Sequence, residues 1–260
     1  TAYGNSALAS NTTGYSNTAI GVAALHKNTK GYSNTASGSG ALYKNTTGIL
    51  NTASGLHALY SNTTGYANTA NGVAALTKNT KGLNNTASGY VALSSNTTGW
   101  GNIAIGSHAL LNNRTGNGNT AIGSFAGGEN TEGHRNVFIG HYAGRYRHQG
   151  QSNKLVIAND FDNDLITGDF AHHEVQINGN LHATGNVTTS DGRLKKDIQP
   201  LTHALDSILK LQGKTYRWKE DTTFANKQDI GLVAQEVEQI FPELVAENEQ
   251  GYKGIAYSKL

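Results

Sequence analysis

Apolar and polar positions repeat along the first 150 residues with a period of 17, marked by Asn at 17, 34, 51, 68, 85, 102, 119, 136 and 153. Counting from each Asn, Gly stands at +4 (Gly21 to Gly140), Ala then Leu at +7 and +8 (Ala24-Leu25 to Ala109-Leu110), a second Asn at +11 and a second Gly at +14. The apolar positions do not keep a 3.6-residue period, and Gly recurs too often for a helix. A period this short, free of insertions, does not suit the paired-helix repeats of about 33–47 residues. It predicts one coil of a parallel β-solenoid, with two short strands joined by Asn/Gly turns. Two glycines per coil supply the positive φ that tight corners need, and stacked Asn side chains can hydrogen-bond as ladders along the column. Ala at +2 and +7 leaves room inside for little more than the Leu at +8. So thin a core buries little against the entropy of ordering each coil, which predicts several chains packed side by side.

The pattern changes after Asn153, where Ile157 takes the place of the expected Gly. Residues 151–189 read as a β-stranded neck: a strand at Lys154–Ala158, a polar turn at Asp160–Asp164, a strand at Leu165–Phe170, then Gly179-Asn180-Leu181 and Gly185-Asn186-Val187 six apart. One apolar residue in six builds a core only when several chains wind together. From residue 190 to 260 the pattern is that of a small α+β domain. Apolar positions 201, 204, 205, 208, 209 and 211 predict a helix capped by Thr202 and ended by Gly213. Thr215–Lys219 and Ile230–Val233 read as strands, and Ala234–Phe241 as a second helix stopped by Pro242. The expected fold class is therefore mainly β: a parallel β-solenoid or β-roll (1–150), a trimeric neck (151–189) and an α+β domain (190–260).

Composition narrows the chemistry. The sequence has no Met, implying a piece of a longer protein, and no Cys, removing disulfides and thiolate metal sites. No apolar run is long enough to span a membrane. Net charge is only +2, yet residues 1–150 carry nine Lys/Arg against Glu129 and Glu132, whereas the remainder carries eleven against sixteen acids. The basic part can favour anionic partners, or its Lys can simply keep a stacked sheet soluble. There is no Asp before Asp160, which excludes calcium-loaded repeats. His172, His173, Glu174 and His182 match no metal-ligand spacing, so no metal and no cofactor is expected.

Three columns of the repeat are candidate surfaces. Position +15 carries Tyr15, Tyr32, Ile49, Tyr66, Leu83 and Trp100, an aromatic row suited either to binding sugar rings or to stabilising the solenoid by its own stacking. Position +10 carries Lys27, Lys44 and Lys78, which on an exposed face could meet acidic glycans or phosphates, or simply form a solvated face. The Thr column at +1 suggests an ice-binding array, but Ala at +2 and a variable +3 break the two-Thr rank such an array needs.

Ser190-Asp-Gly-Arg-Leu-Lys-Lys-Asp-Ile198, followed by Asp229-Ile-Gly-Leu-Val-Ala-Gln-Glu-Val-Glu-Gln-Ile-Phe-Pro-Glu-Leu-Val245 and Gly254-Ile-Ala-Tyr-Ser-Lys-Leu260, resembles the intramolecular chaperone domain (peptidase S74 type) at the C-termini of phage tail spikes and fibres. The resemblance implies trimerisation of the preceding fibre, then self-cleavage by a Ser–Lys dyad with Ser190 as nucleophile and Lys195 as base. Thr189, Ser190 and Asp191 form the cleavage junction. A Lys can take the Ser proton only if burial or a nearby cation lowers its pKa, and Arg193 and Lys196 stand close in sequence. Relatives continue past the position of Leu260, which implies a truncated domain. Asn17-Thr-Ala-Ile-Gly21, Asn102-Ile-Ala-Ile-Gly106 and Asn119-Thr-Ala-Ile-Gly123 resemble the head repeats of trimeric autotransporter adhesins. This unit departs from theirs in its 17-residue length and in Ser37, Ser54, Asn71 and Ser88 where that family prefers Ile.

The expected protein is the distal part of a trimeric fibre or adhesin on a virion or bacterial surface. Its partners would be two further copies and a host-surface glycan or polysaccharide, with no nucleic acid and no membrane insertion. Enzyme activity would be at most one turnover on itself. The rival is a glycan-degrading tail spike whose enzyme domain lies upstream. Within 1–150 only Glu129 and Glu132 are available, three apart, where glycoside hydrolysis needs facing carboxylates.

Overall fold

A computed structural model describes residues 1–146, 149–161, 163–179, 196–200, 202–219, 226, 228–247 and 251–256. The chain divides into two compact units, Thr1–Leu181 and His182–Leu260.

The first unit is the expected parallel β-solenoid. Strands β1 (Ala2–Tyr3), β2 (Thr18–Ile20), β3 (Thr35–Ser37), β4 (Thr52–Ser54), β5 (Thr69–Asn71), β6 (Thr86–Ser88), β7 (Ile103–Ile105), β8 (Thr120–Ile122) and β9 (Val137–Ile139) pair in parallel, each with the next. The register is strict, Ala36 opposite Ala53 and Ala53 opposite Ala70. Each coil contains one short strand rather than the expected two. The second side is a run of turns, because Leu25, Leu42, Leu59, Leu76, Leu93 and Leu110 adopt left-handed backbone with φ between 49° and 53°. That conformation costs a non-Gly residue about 1–2 kcal/mol. Full burial of each Leu offsets it, as does continuation of the inter-coil ladder: Leu59 N–H donates to Ala75 O at 2.9 Å.

Asparagine satisfies the interior. Asn51 Nδ2 donates to Asn34 Oδ1 (3.1 Å) and to Gly65 O (2.9 Å), while its backbone N–H also reaches Asn34 Oδ1 (3.0 Å). The second ladder runs through the +11 column, Asn62 Nδ2 donating to Asn45 Oδ1 at 2.8 Å and Gly65 O at 3.0 Å. From Asn28 to Asn136 the Asn at both positions are fully buried, and their amides are paired where an unpaired one would be costly, the exception being Asn130 Oδ1 at the last coil of the second ladder. The +14 glycines exist for this packing: a Cβ on Gly65 would lie 2.3 Å from Asn62 Oδ1 and 2.4 Å from Gly82 O.

Phe138 and Val156 close the core where the repeat ends, both fully buried. Phe138 stands in the Ala column, and Gly127 and Gly144 stand where Leu is expected. A Cβ on either Gly would meet the Phe138 ring at 2.5 or 2.2 Å, so one large ring occupies the space of the missing leucines. Beyond β9 the same sheet continues with β10 (Lys154–Ala158), parallel to β9, then β11 (Asp164–Asp169) and β12 (Glu174–Ile177), both antiparallel, to twelve strands. The Gly185 motif expected to build a shaft lies outside the described residues, as do Asn180 and Leu181 of the Gly179 motif.

In the second unit, the predicted first helix shrinks to α1 (Ala204–Ile208). Its N-cap is His203 in left-handed backbone rather than Thr202, and it ends before Gly213. Leu205 and Leu209 remain 69% and 72% exposed, so the packing that normally sustains a short helix is missing. β13 (Lys214–Arg217) pairs antiparallel with β14 (Gln228–Gly231), the latter two residues earlier than predicted. α2 (Ala234–Glu238) leads into a 3₁₀ turn at Pro242–Leu244, and β15 (Val245–Glu247) pairs with β16 (Lys253–Ile255). Val237, Phe241 and Leu244 form the core there, packed by Leu211, Leu232, Ile240, Val245 and Ile255.

Candidate functional site

Along the strands, Ala at +2 points inward and is fully buried, so +1 and +3 face outward. The charged side chains of the coils sit instead on the turns. Tyr15 and Tyr32 of the +15 column stack at 4.7 Å with ring planes 4° apart. Ile49 and Leu83 then interrupt the row, leaving Tyr66 and Trp100 as exposed rings separated by aliphatic neighbours.

The lysines associate with a different aromatic column that the sequence reading missed. His26, Tyr43 and Tyr60, at +9, stack at 5.1 and 4.9 Å. Lys27 Nζ lies 5.7 Å from the Tyr43 ring centroid and Lys44 Nζ 5.5 Å from that of Tyr60, cation–π distances. One coil beyond Lys78 the corresponding residue is Ser94, so Lys78 has no such ring. The 17-residue spacing of the three rings, each followed by Lys or Ser, was the available signal. Near the end of the repeat, the Arg145 guanidinium lies 4.2 Å from the Phe125 ring and 4.8 Å from that of Tyr146. It also approaches Glu129 at 3.7 Å, and Asn112 Nδ2 donates to the same carboxylate at 2.7 Å. Glu129 is thus tied into the packing of the final coils.

Asp169 accepts from Lys154 Nζ at 2.8 Å and pairs with His172 Nδ1 at 2.9 Å. These hydrogen bonds, Lys154 first, hold its carboxyl well below the usual carboxylate range. Among the described residues no group of three or more His, Asp or Glu could hold a metal, and no helix is long and apolar enough to cross a membrane.

Ser190, Lys195, Thr189, Asp191 and Arg193 lie outside the described residues; Lys196, adjacent, is exposed. What is described of this unit includes a groove of about 190 Å³ between α2 and Lys210–Gln212, lined in part by Leu211, Leu232, Val237 and Ile240. It is smaller than the roughly 300–1,000 Å³ of small-molecule pockets.

Residues 190–246 match the Peptidase_S74 family, described as chaperone of endosialidase. The Peptidase_S74 segment thus opens on Ser190 and takes in β13, β14 and α2. The chain is also 32% identical over 117 residues to the long tail fiber protein Gp37 of Salmonella phage S16, a stretch covering 40% of this chain and 15% of that relative. The aligned stretch therefore represents a small part of that fibre protein's length. No solved structure matches the chain.

Proposed function

We propose that this chain is a distal segment of a trimeric phage tail fibre, carried on the virion, whose Peptidase_S74 domain guides trimer assembly and then cuts itself free at Ser190. The order of parts carries this reading: a β-solenoid leads into a chaperone-of-endosialidase match that begins at Ser190, in a chain similar to a long tail fibre protein. Two supporting facts are the Ala-lined coil interior, thin for an isolated chain, and the apolar residues left exposed around α1.

In the cleavage step, Lys195 accepts the Ser190 hydroxyl proton and the alkoxide attacks a neighbouring main-chain carbonyl. The peptide C–N bond breaks, the leaving amine takes the proton from Lys195, and water hydrolyses the ester left on Ser190. Attack on Thr189 passes through a five-membered ring and cuts before Ser190, whereas the Ser190–Asp191 bond is the alternative. Both need the same side chain. Ser190→Ala removes the nucleophile with little change in packing, and Lys195→Met removes the base while keeping most of the apolar stem. Denaturing electrophoresis with intact-mass analysis of the full-length protein should show loss of the C-terminal fragment, and no loss in either variant. Normal processing in Ser190→Ala would remove the dyad and leave a chaperone without a protease.

The solenoid turns are the proposed contact with a host-surface glycan, through the exposed rings of Tyr15, Tyr66 and Trp100, the half-buried ring of Tyr32, and the ammonium groups of Lys27, Lys44 and Lys78. Replacing Tyr32, Tyr66 and Trp100 together by Ala should weaken adhesion to host polysaccharide. Unchanged adhesion by the folded variant would leave these rows structural.

A further inference from the structure

Apart from inward-facing Phe138 and Val156, the twelve-stranded sheet carries its larger apolar residues on its outer face. Inward, β2 to β8 present only Ala. Outward, β7 to β9 present Ile103, Ile105, Ile122, Val137 and Ile139, with Ile105 and Ile122 each more than 40% exposed. The registers continue this face beyond the repeat. Leu155 and Ile157 of β10 stand beside Val137 and Ile139, Ile166 of β11 stands opposite Ile157, and Ile177 of β12 stands opposite Ile166. Lys154, Asp169 and Glu174 fall on the other side of the sheet, and Asp164 pairs with buried Ala158 beyond a shift in register. From β3 to β6 the same outward positions hold only Thr, Ser and Asn. One sheet face thus has an uncharged apolar half and an uncharged hydroxyl-and-amide half.

We infer that the apolar half, β7 to β12, is where copies of this chain pack against one another, and that the polar half of the same face meets its neighbours less tightly, through hydrated contacts. This rests on the trimeric reading above and adds to it which surface closes the trimer. Three features select a second copy as the occupant. In the antiparallel part, β10 to β12, Leu155, Ile157, Ile166 and Ile177 share one side while Lys154, Asp169 and Glu174 share the other, and antiparallel sheets with one polar face commonly pack the apolar one. With about 70 Å² from each of the five exposed isoleucines and less from the half-buried Val137, Leu155, Ile157 and Ile166, the face presents on the order of 500 Å², in the upper range of the largest patch on a typical monomer, which is often an interaction surface. Its lack of charge suits self-association, since a face brought against its own copy cannot tolerate an uncompensated charge.

The triple variant Ile105→Ser, Ile122→Ser, Ile139→Ser tests this in the full chain, because Ser37, Ser54 and Ser88 already occupy that column in other coils. Val22→Ser with Leu50→Ser is the control; both residues are over half exposed on the turns, in columns that also hold Ser elsewhere. Sedimentation should show self-association weakened ~100-fold or more in the triple variant and little changed in the control. Wild-type association by the folded triple variant would overturn the assignment of the face while leaving the trimer standing. A wild-type chain that stays monomeric would overturn both. Should the triple variant fail to fold, a polarity-sensitive fluorophore on Ile122→Cys decides, since the chain has no other Cys. Its emission should shift to the blue on association, with no shift from the same probe on Leu50→Cys; no shift at position 122 in an associated chain would overturn the assignment.

Discussion

In the solenoid, Ala at +2 and Leu at +8 are fully shielded coil after coil, with buried Asn between them. In His182–Leu260 the described residues bury only Val237, Phe241 and Leu244, while Leu205, Leu209 and Ile230 stand 69–75% exposed. Both units are short of apolar bulk, but they manage it differently. The solenoid compensates with polar groups satisfied at a fixed sequence distance: Asn to Asn, N–H to carbonyl, one coil away. Its order is therefore nearest-neighbour order, written in full within the chain. The C-terminal unit has no such internal ladder among its described residues, and its apolar side chains face outward in a single copy. The difference teaches that polar groups paired at a fixed sequence distance can order a thin core coil by coil, an order that the described residues of the second unit do not share.

Glycine substitution should separate the two units most sharply. Gly65→Ala places a methyl carbon into Asn62 Oδ1 and the Gly82 carbonyl and is expected to destabilise the solenoid by about 4 kcal/mol or more. Gly213→Ala meets nothing within 4 Å and should stay within about 0.5 kcal/mol of wild type. Urea unfolding followed by far-UV circular dichroism measures both, and equal effects would erase the contrast.

A smaller but more specific break is Asn62→Ala. Asn62 donates to Asn45 and Gly65 and accepts from Asn79, so its loss strands buried polar atoms on both neighbouring coils. The expected cost is about 2–4 kcal/mol. A cost below about 1 kcal/mol would show that the ladder contributes little beyond filling space.

The smallest effect belongs to Asp169, whose carboxyl is held low mainly by Lys154 and then by His172. Because the folded-state pKa is depressed, its stabilisation is fully present above the ordinary carboxylate range near about 4 and fades as pH falls through the lower folded value. Asp169→Asn should therefore melt slightly below wild type at neutral pH, with the gap closing only under strongly acidic conditions. A gap that instead widened on acidification would contradict this coupling.

The coil was legible because period, Asn and Gly all pointed to one architecture, and the registers follow the 17-residue count. The left-handed Leu was not, since Leu is an improbable residue there and only full burial with continuous inter-coil hydrogen bonding makes it acceptable. Nor was the exchange at the end of the repeat visible column by column: Phe138 replaces Ala while Gly127 and Gly144 replace Leu, and only their spatial contact reveals one compensated volume. Among candidate site residues, Tyr15 and Tyr32 do stack as a row, but the rings beside Lys27 and Lys44 were overlooked because His, Tyr and Thr share that column. In the second unit the helix boundaries at Thr202 and Gly213 failed for want of packing, which a pattern of apolar positions assumes but does not supply.

Each coil touches only the one before and the one after, through the same carbonyls, amides and methyl groups. A whole 17-residue unit could therefore be gained or lost without disturbing either end of the stack. Each such event would change reach by a fixed step of about 4.8 Å, the spacing of neighbouring strands. Length would then be adjustable in whole coils, independently of whatever the two ends are built to do.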